Sequence, residues 1–393
     1  MNGSLLDGSF QPPKGCRLRM RIALTICSLE AGGAERVLSG MANYWADTNN
    51  HSVAVITLSG AKSDWYPLHP KVERRGLDLL AQAGGISDAL TNNLRRVWHL
   101  RRYLKQFRPD VVISFIEKTN ILTLLACAGQ KVPVIVSERA DPREKPIDPV
   151  WHRLRTWTYA HADAIVVQSS SLQEWASKFA GAKVVHVVPN PIRPLMANTA
   201  LSRSRNRTVI AMGRLTRQKG FDLLLAAFAQ CRKRYPEWRL MILGEGEERH
   251  ELEALSTRLG LQEYVRFPGL VKTPEDELCR ADLFVLSSRW EGFPNALLEA
   301  MACGLPVVAT NCLTGPADII SDGKDGVLVA PNDVGALAMA MSRLMGEEAV
   351  RQELGRRAPE VLNRFNQQAV MVMWEQLLDG VQVGRSNQTR IRA

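Results

Sequence analysis

The sequence has few features of an oxidising or a membrane-spanning environment. Its seven cysteines, at 16, 27, 127, 231, 279, 303 and 312, are odd in number and include no C-x-x-C pair. That spacing argues against a disulfide framework or a zinc site and for a reducing compartment. No apolar run approaches the roughly 18 residues that a transmembrane helix needs. The longest, Ile121–Gly129, has the length of a buried helix segment. The N-terminus, MNGSLLDGSFQPPKGCRLRM, lacks a long apolar h-region, so it reads as a loose tail rather than a signal peptide, with Met20 as an alternative start. No G-x-G-x-x-G is present, which speaks against a dinucleotide-dependent oxidoreductase.

What is present is ordinary globular composition with lopsided charge. Residues 1–200 carry 25 Lys and Arg against 16 Asp and Glu, whereas residues 201–393 carry 25 against 24. A basic first half next to a neutral second half implies that the first half meets something anionic: a phospholipid surface, a diphosphate-bearing acceptor or nucleic acid. The basic stretches contain no recognised nucleic-acid reading module, so nucleic acid is not expected as a partner.

At 393 residues the chain is long for one core. Apolar, β-branched runs at Arg21–Cys27, Val53–Leu58, Val111–Phe115, Val132–Val136 and Ala164–Val167 read as strands. Helical patterns at Ala34–Asp47, Asp88–Phe107 and Thr119–Gly129 lie between them, so the expectation is a parallel sheet covered by helices. The rhythm breaks over Pro189–Arg207 and restarts with strands at Thr208–Met212, Arg239–Leu243, Val265–Phe267, Leu283–Leu286, Val307–Ala309 and Val327–Val329. Helices are expected at Gly220–Tyr235 and Glu247–Leu259. The fold class is therefore α/β, with two doubly wound, Rossmann-like domains facing across a cleft. The divisions are a tail at 1–18, a first domain at 19–190, a linker at 191–206 and a second domain at 207–365. A C-terminal helix and tail at 366–393 are expected to pack back on the first domain. Ligands bind such sheets at the carboxyl ends of the strands.

Three segments at such positions carry chemistry. Gly213-Arg214-Leu215-Thr216-Arg217-Gln218-Lys219-Gly220 follows a strand and opens a helix. Its cations, beside free helix N–H groups, suit a diphosphate; a solvated basic loop would read the same way. Glu291-Gly292-Phe293-Pro294-Asn295-Ala296-Leu297-Leu298-Glu299 also follows a strand, with Pro294 suited to a first helical turn. Its two carboxylates cannot grip phosphate but can accept hydrogen bonds from sugar hydroxyls. The exposed N–H groups around Asn295–Leu297 could meet phosphate, and an ordinary capped helix with an acidic face is the plainer alternative. In Ser28-Leu29-Glu30-Ala31-Gly32-Gly33-Ala34-Glu35-Arg36, paired glycines let the backbone approach a ligand closely.

In this order, with E-x7-E about 70 residues after GR-x4-KG and the turn Asp322–Leu328 beyond, the chain resembles the retaining glycosyltransferases of family 4 over residues 19–380. The resemblance implies the B-type glycosyltransferase fold. It also implies transfer of a hexose or N-acetylhexosamine from a nucleotide-diphosphate sugar, with UDP expected. The acceptor would be a saccharide bound by the N-terminal domain, lipid-diphosphate-linked, in cell-surface polysaccharide synthesis. By the same resemblance Arg214 and Lys219 clamp the diphosphate and Glu299 holds the ribose. Glu291 contacts the sugar, with Phe293, Pro294, Asn295, Ala296 and Leu297 completing the pocket. Gly32 and Gly33 cap the diphosphate, and Gly269 and Leu270 lie where the base sits. The cations take the place of a metal; with no D-x-D present, neither a divalent cation nor a cofactor is expected. Where many members carry a functional His, this chain reads Ser137-Glu138-Arg139-Ala140-Asp141, so Glu138 and Arg139 are candidates to orient acceptor or donor, unless they only pair with each other. A nucleotide-sugar epimerase or a non-catalytic sugar-nucleotide-binding relative would share the fold.

Two further stretches fit an anionic membrane surface. Asn93–Arg108 is a basic run with Trp98, Tyr103 and Phe107 interleaved, and Val150–Tyr159 adds Arg153, Arg155, Trp151, Trp157 and Tyr159. The alternative is a surface helix burying Leu94, Val97, Leu104 and Phe107. The expected location is the cytoplasm, peripheral at the inner face of the membrane.

Overall fold

A computed structural model describes residues 19–48, 51–80, 86–144, 147–179, 184–192 and 207–391. The expected tail at 1–18 and most of the expected linker, 193–206, lie outside them.

The first sheet contains β1 (Arg21–Ile26), β2 (Ser52–Thr57), β3 (Glu73–Gly76), β4 (Val111–Phe115), β5 (Val134–Ser137), β6 (Ala164–Val167) and β7 (Val185–Val187). The second contains β8 (Thr208–Met212), β9 (Arg239–Leu243), β10 (Val265–Gly269), β11 (Leu283–Leu286), β12 (Val307–Thr310) and β13 (Val327–Val329). Their orders are β3-β2-β1-β4-β5-β6-β7 and β10-β9-β8-β11-β12-β13. Every pairing between these strands is parallel. Central strands such as RIALTI and VVISF are apolar because helices cover both faces of the sheet. The strand order reverses between β1 and β4, and again between β8 and β11. A crevice opens at such a reversal, beyond the strand ends.

Each sheet has its own core, and the chain passes between the two halves twice. The crossings touch, since Ile192 N–H donates to Phe365 O at 2.8 Å and Ile192 bridges Asn366. The C-terminal helix Gln367–Ile391 returns to the first half, where Val370, Met371, Trp374, Leu377 and Leu378 join the β1–β4 core. Trp374 meets Trp45 edge-on at 6.4 Å and stacks on Phe115 at 6.4 Å, and the Trp45 indole N–H donates to Glu375.

Candidate functional site

The loops that carry the sequence motifs come together at the two strand-order reversals. β8 leads into the loop that holds Arg214 and Lys219, and β11 leads into the loop that holds Glu291. The two loops are sewn together. Gln218 Nε2 donates to Trp290 O at 3.0 Å, Arg289 N–H to Gln218 O at 2.8 Å, and Ser287 Oγ to Lys219 O at 2.9 Å. Arg289 grips Asp222 with both Nη atoms, at 2.8 and 2.7 Å. Gly220 must be glycine here: its φ is +61°, and a Cβ would lie 2.2 Å from Ser287 O.

Within this frame Lys219 and Glu291 form an ion pair, Nζ to Oε1 at 2.6 Å, and Ser288 Oγ donates to the same oxygen at 2.6 Å. Thr314 Oγ1 holds the Glu291 carbonyl. Lys219, expected at the phosphate, and Glu291, expected at the sugar, are therefore in direct contact with each other. Arg214 and Arg217 are both exposed, and neither side chain makes a hydrogen bond or ion pair among the described residues; the charge of Arg214 reaches Glu35 in the first half.

The first half contributes the helix Gly33–Asp47, which begins at Gly32 without a side-chain cap. It faces the helix Asn295–Ala302, which begins at Pro294 and also has no side-chain cap. Asn295 Nδ2 donates to Gly33 O at 3.1 Å, so the two uncapped, electropositive helix starts meet across the cleft. The Leu297 N–H is already engaged with Pro294 O at 3.1 Å, which leaves the N–H groups of Asn295 and Ala296 at the helix start. Phe293 and Leu297 turn their side chains into the core, and Phe293 packs edge-on against Phe365 at 5.5 Å. Glu35 folds its carboxylate back over Gly32. Burial raises its pKa, while its own backbone N–H and the charge of Arg214 oppose the rise.

Glu299 is buried and accepts from Arg36 Nη1 at 2.8 Å. Gly269 ends β10 with φ +84°, and Leu270 beyond it is exposed.

Glu138 and Arg139 follow β5 and point to different partners rather than to each other. Glu138 Oε1 accepts from Tyr159 Oη at 2.5 Å, and the same hydroxyl accepts from Asn120 Nδ2 at 2.9 Å. Burial pushes the Glu138 carboxyl up to about 7, helped by the nearby Glu117, while the Tyr159 hydrogen bond and Arg155 pull it down. A recess beside it is lined by Glu117, Glu138, Asp141 and Arg155. Arg139 stacks over Phe115 at 3.7 Å and donates to Asn190 Oδ1 at 2.7 Å. Asn190 donates in turn to Asn295 Oδ1 at 2.7 Å and Phe293 O at 3.3 Å. The Arg139 carbonyl abuts Gly292, where a Cβ would come within 2.7 Å.

Sequence reasoning missed Asn190, Asn120 and Ser288, placed Tyr159 in a membrane-facing stretch rather than on Glu138, and quoted Arg36 without giving it a role. Asn190 lies between Pro189 and Pro191, and Arg36 one helical turn after Gly32; neither position announces a partner in the other half of the chain.

On the outer layer, the surface reading changes. Tyr103, Phe107, Arg155 and Tyr159 are buried, because they lie on the sheet-facing sides of their helices. Leu90, Leu94 and Trp98, at 63%, 62% and 54% exposure, instead form an outward stripe on the helix Ile86–Phe107. Arg95, Arg102 and Lys105 flank it. Val150 and Trp157 form a second exposed pair on the helix Pro149–Tyr159, with exposed Arg153 between them. The helix Glu117–Cys127 packs against both. No described helix is long and apolar enough to cross a membrane.

Comparison with known proteins agrees with this architecture. Residues 195–361 match the family described as Glycosyl transferases group 1, and residues 31–194 match Glycosyltransferase Family 4. The Campylobacter jejuni GalNAc-alpha-(1->4)-GalNAc-alpha-(1->3)-diNAcBac-PP-undecaprenol alpha-1,4-N-acetyl-D-galactosaminyltransferase is 30% identical over 362 residues, covering 91% of this chain and 98% of that one. The exopolysaccharide phosphotransferase SCO2592 of Streptomyces coelicolor is 38% identical over 222 residues, 55% of this chain but 23% of that protein. Among solved structures, Anabaena HepE in complex with UDP and glucose superposes with a TM-score of 0.74 at 20% identity, over 92% of this chain and 100% of that one. With two parallel-sheet domains arranged as in the B-type fold and a match of this extent, the chain belongs to the glycosyltransferases of the family 4 and group 1 type.

Proposed function

We propose that the protein transfers a hexose or N-acetylhexosamine, with retention of anomeric configuration, from a UDP-sugar to a lipid-diphosphate-linked saccharide in cell-surface polysaccharide synthesis. The observation that carries this reading is the meeting of two helix starts without side-chain caps, beside the exposed Arg214 whose charge reaches Glu35 on the first of them, with Glu291 before the second helix and Glu299 on it. N–H groups and a guanidinium suit a diphosphate. Glu299 suits ribose hydroxyls and the Lys219-neutralised Glu291 suits the sugar, because both groups accept hydrogen bonds from neutral donors. The Campylobacter relative's lipid-linked acceptor and the UDP in the HepE complex support the substrate classes.

In the proposed reaction the bond from the anomeric carbon to the diphosphate oxygen breaks while the acceptor oxygen attacks from the same face. The acceptor proton passes to the departing phosphate oxygen. Arg214, Lys219 and the helix N–H groups stabilise the negative charge that builds on the leaving group, in the role a metal ion fills elsewhere. Glu138, held by Tyr159 beside the recess in the first half, is the group we assign to orienting the acceptor. Arg139 links that side to the donor side through Asn190.

The outward stripes at Leu90, Leu94 and Trp98 and at Val150 and Trp157, set among arginines, support docking on an anionic membrane at the inner face, where a lipid-linked acceptor would be presented. The test is a screen of nucleotide sugars with released nucleoside diphosphate as readout, with and without membrane lipid extract. Release from a UDP-sugar that depends on the lipid extract is expected. Donor converted to an isomer with no acceptor present would point to an epimerase and contradict the reading.

A further inference from the structure

The ion pair between Arg36 and Glu299 joins residues 263 positions apart and spans the two halves of the molecule at 2.8 Å. Both side chains are largely covered, at 18% and 9% exposure. Arg36 stands on the second turn of the helix whose start faces Asn295. Glu299 stands on the helix that Asn295 opens. Beside the pair is a recess whose walls include Pro191 from the first chain crossing and Gln367 from the second. Tyr44, on the Arg36 helix, donates to Gln368 at 2.7 Å, so the same helix also holds the second crossing.

A carboxylate that must accept hydrogen bonds from a rigid diol needs a fixed orientation. Its own helix does not supply that, because a glutamate side chain has several rotatable bonds. A guanidinium anchored on the opposite half does supply it, but only while the halves are together. We propose that Arg36 is a positioning residue for the nucleotide end of the cleft: it aims Glu299 at the ribose and makes that aim conditional on closure of the two halves. The inference rests on the reading of Glu299 as the ribose ligand. Arg36 acts through Glu299 and touches no reacting atom.

The experiment compares wild type with Arg36→Ala, Arg36→Lys and Glu299→Gln as full chains. Calorimetry with UDP and with 2′,3′-dideoxyuridine diphosphate isolates the ribose contact. Breaking a buried charge pair by truncation should weaken UDP ten- to hundredfold. Affinity for the dideoxy form should fall by clearly less than that for UDP, since it has no diol to hold and loses only what opening of the halves takes from the diphosphate contact. Arg36→Lys should fall between, and Glu299→Gln should follow Arg36→Ala. Small-angle scattering without ligand should show a larger radius of gyration for Arg36→Ala than for wild type. Equal weakening of both diphosphates, or an Arg36→Ala variant that matches wild type for both, would overturn the proposal. An unchanged radius of gyration would remove the closure half of it. Glu299→Gln is nearly isosteric, so it keeps the test decisive if Arg36→Ala folds poorly. Absence of saturable UDP binding by wild type would refute the donor reading instead, and scattering alone would then decide whether Arg36 holds the halves closed.

Discussion

Replacing Glu138 by Gln probes a buried carboxyl beside the recess proposed for the acceptor. Burial raises its folded-state pKa from 4.5 to about 7. The folded protein then holds the proton to higher pH than the unfolded chain does. Stability from this group is complete below about pH 4.5 and is lost as pH rises through 7. For these two values, linkage gives a loss of about 2 to 3 kcal/mol between pH 5 and pH 8.5. Gln has the shape of the protonated acid, keeps an oxygen to accept from Tyr159, and carries no charge to bury. Glu138→Gln should therefore be nearly neutral at pH 5 and more stable than wild type by about 2 kcal/mol at pH 8.5. Urea denaturation at both pH values measures the difference, and the other titrating groups cancel between the two proteins. Equal wild-type and variant stabilities at pH 8.5 would refute the account of a destabilising buried charge. Turnover is the second readout: a variant with full activity would remove Glu138 from the acceptor-orienting role.

Other consequences can be checked as directly. Leu94→Asp with Trp98→Asp should lower partitioning onto anionic vesicles at least tenfold in co-sedimentation without changing the thermal unfolding temperature, because both side chains are exposed; binding no stronger to anionic than to neutral vesicles by wild type would contradict the membrane reading. Gly292→Ala places a Cβ 2.7 Å from Arg139 O across the cleft. A displacement of about 1 Å there should reduce kcat/KM on the order of 100-fold while the melting temperature stays within a few degrees; wild-type kinetics would show that the halves need not approach so closely. If Arg214, Lys219 and helix N–H groups take the metal's role as proposed, excess EDTA should leave the rate of nucleoside diphosphate release within about twofold of control. A rate that collapses and returns with magnesium would contradict metal independence.

The strands of both sheets could be read from the sequence because they are buried on two faces and therefore nearly all apolar. The exceptions have physical reasons. β3 reads Glu73-Arg74-Arg75-Gly76, a charged edge strand of the kind that discourages pairing with other chains. β7, with only Val185–Val187, is too short to show alternation. In the site, Arg214, Lys219 and the two glutamates could be read as residue types placed after strands, but their partners could not. Lys219 meets Glu291 across 72 positions and Arg36 meets Glu299 across 263, so both pairs arise from the fold. The surroundings of Glu138 depend in the same way on Tyr159 and Asn120, which arrive from separate helices. Periodicity identified the basic helix but not its outward face. Leu94 points away from the sheet while Tyr103 and Phe107 point toward it.

The central claim is that the cleft holds a nucleoside diphosphate through Arg214 and the facing helix starts. Calorimetric titration of wild type and Arg214→Ala with UDP, ADP and GDP tests it most directly. The account predicts saturable binding of UDP by wild type, weakened at least thirtyfold in Arg214→Ala, as expected for loss of a charge-assisted phosphate contact worth about 2 kcal/mol. Equal UDP affinity in the two proteins, or no binding of any of the three nucleotides, would contradict it.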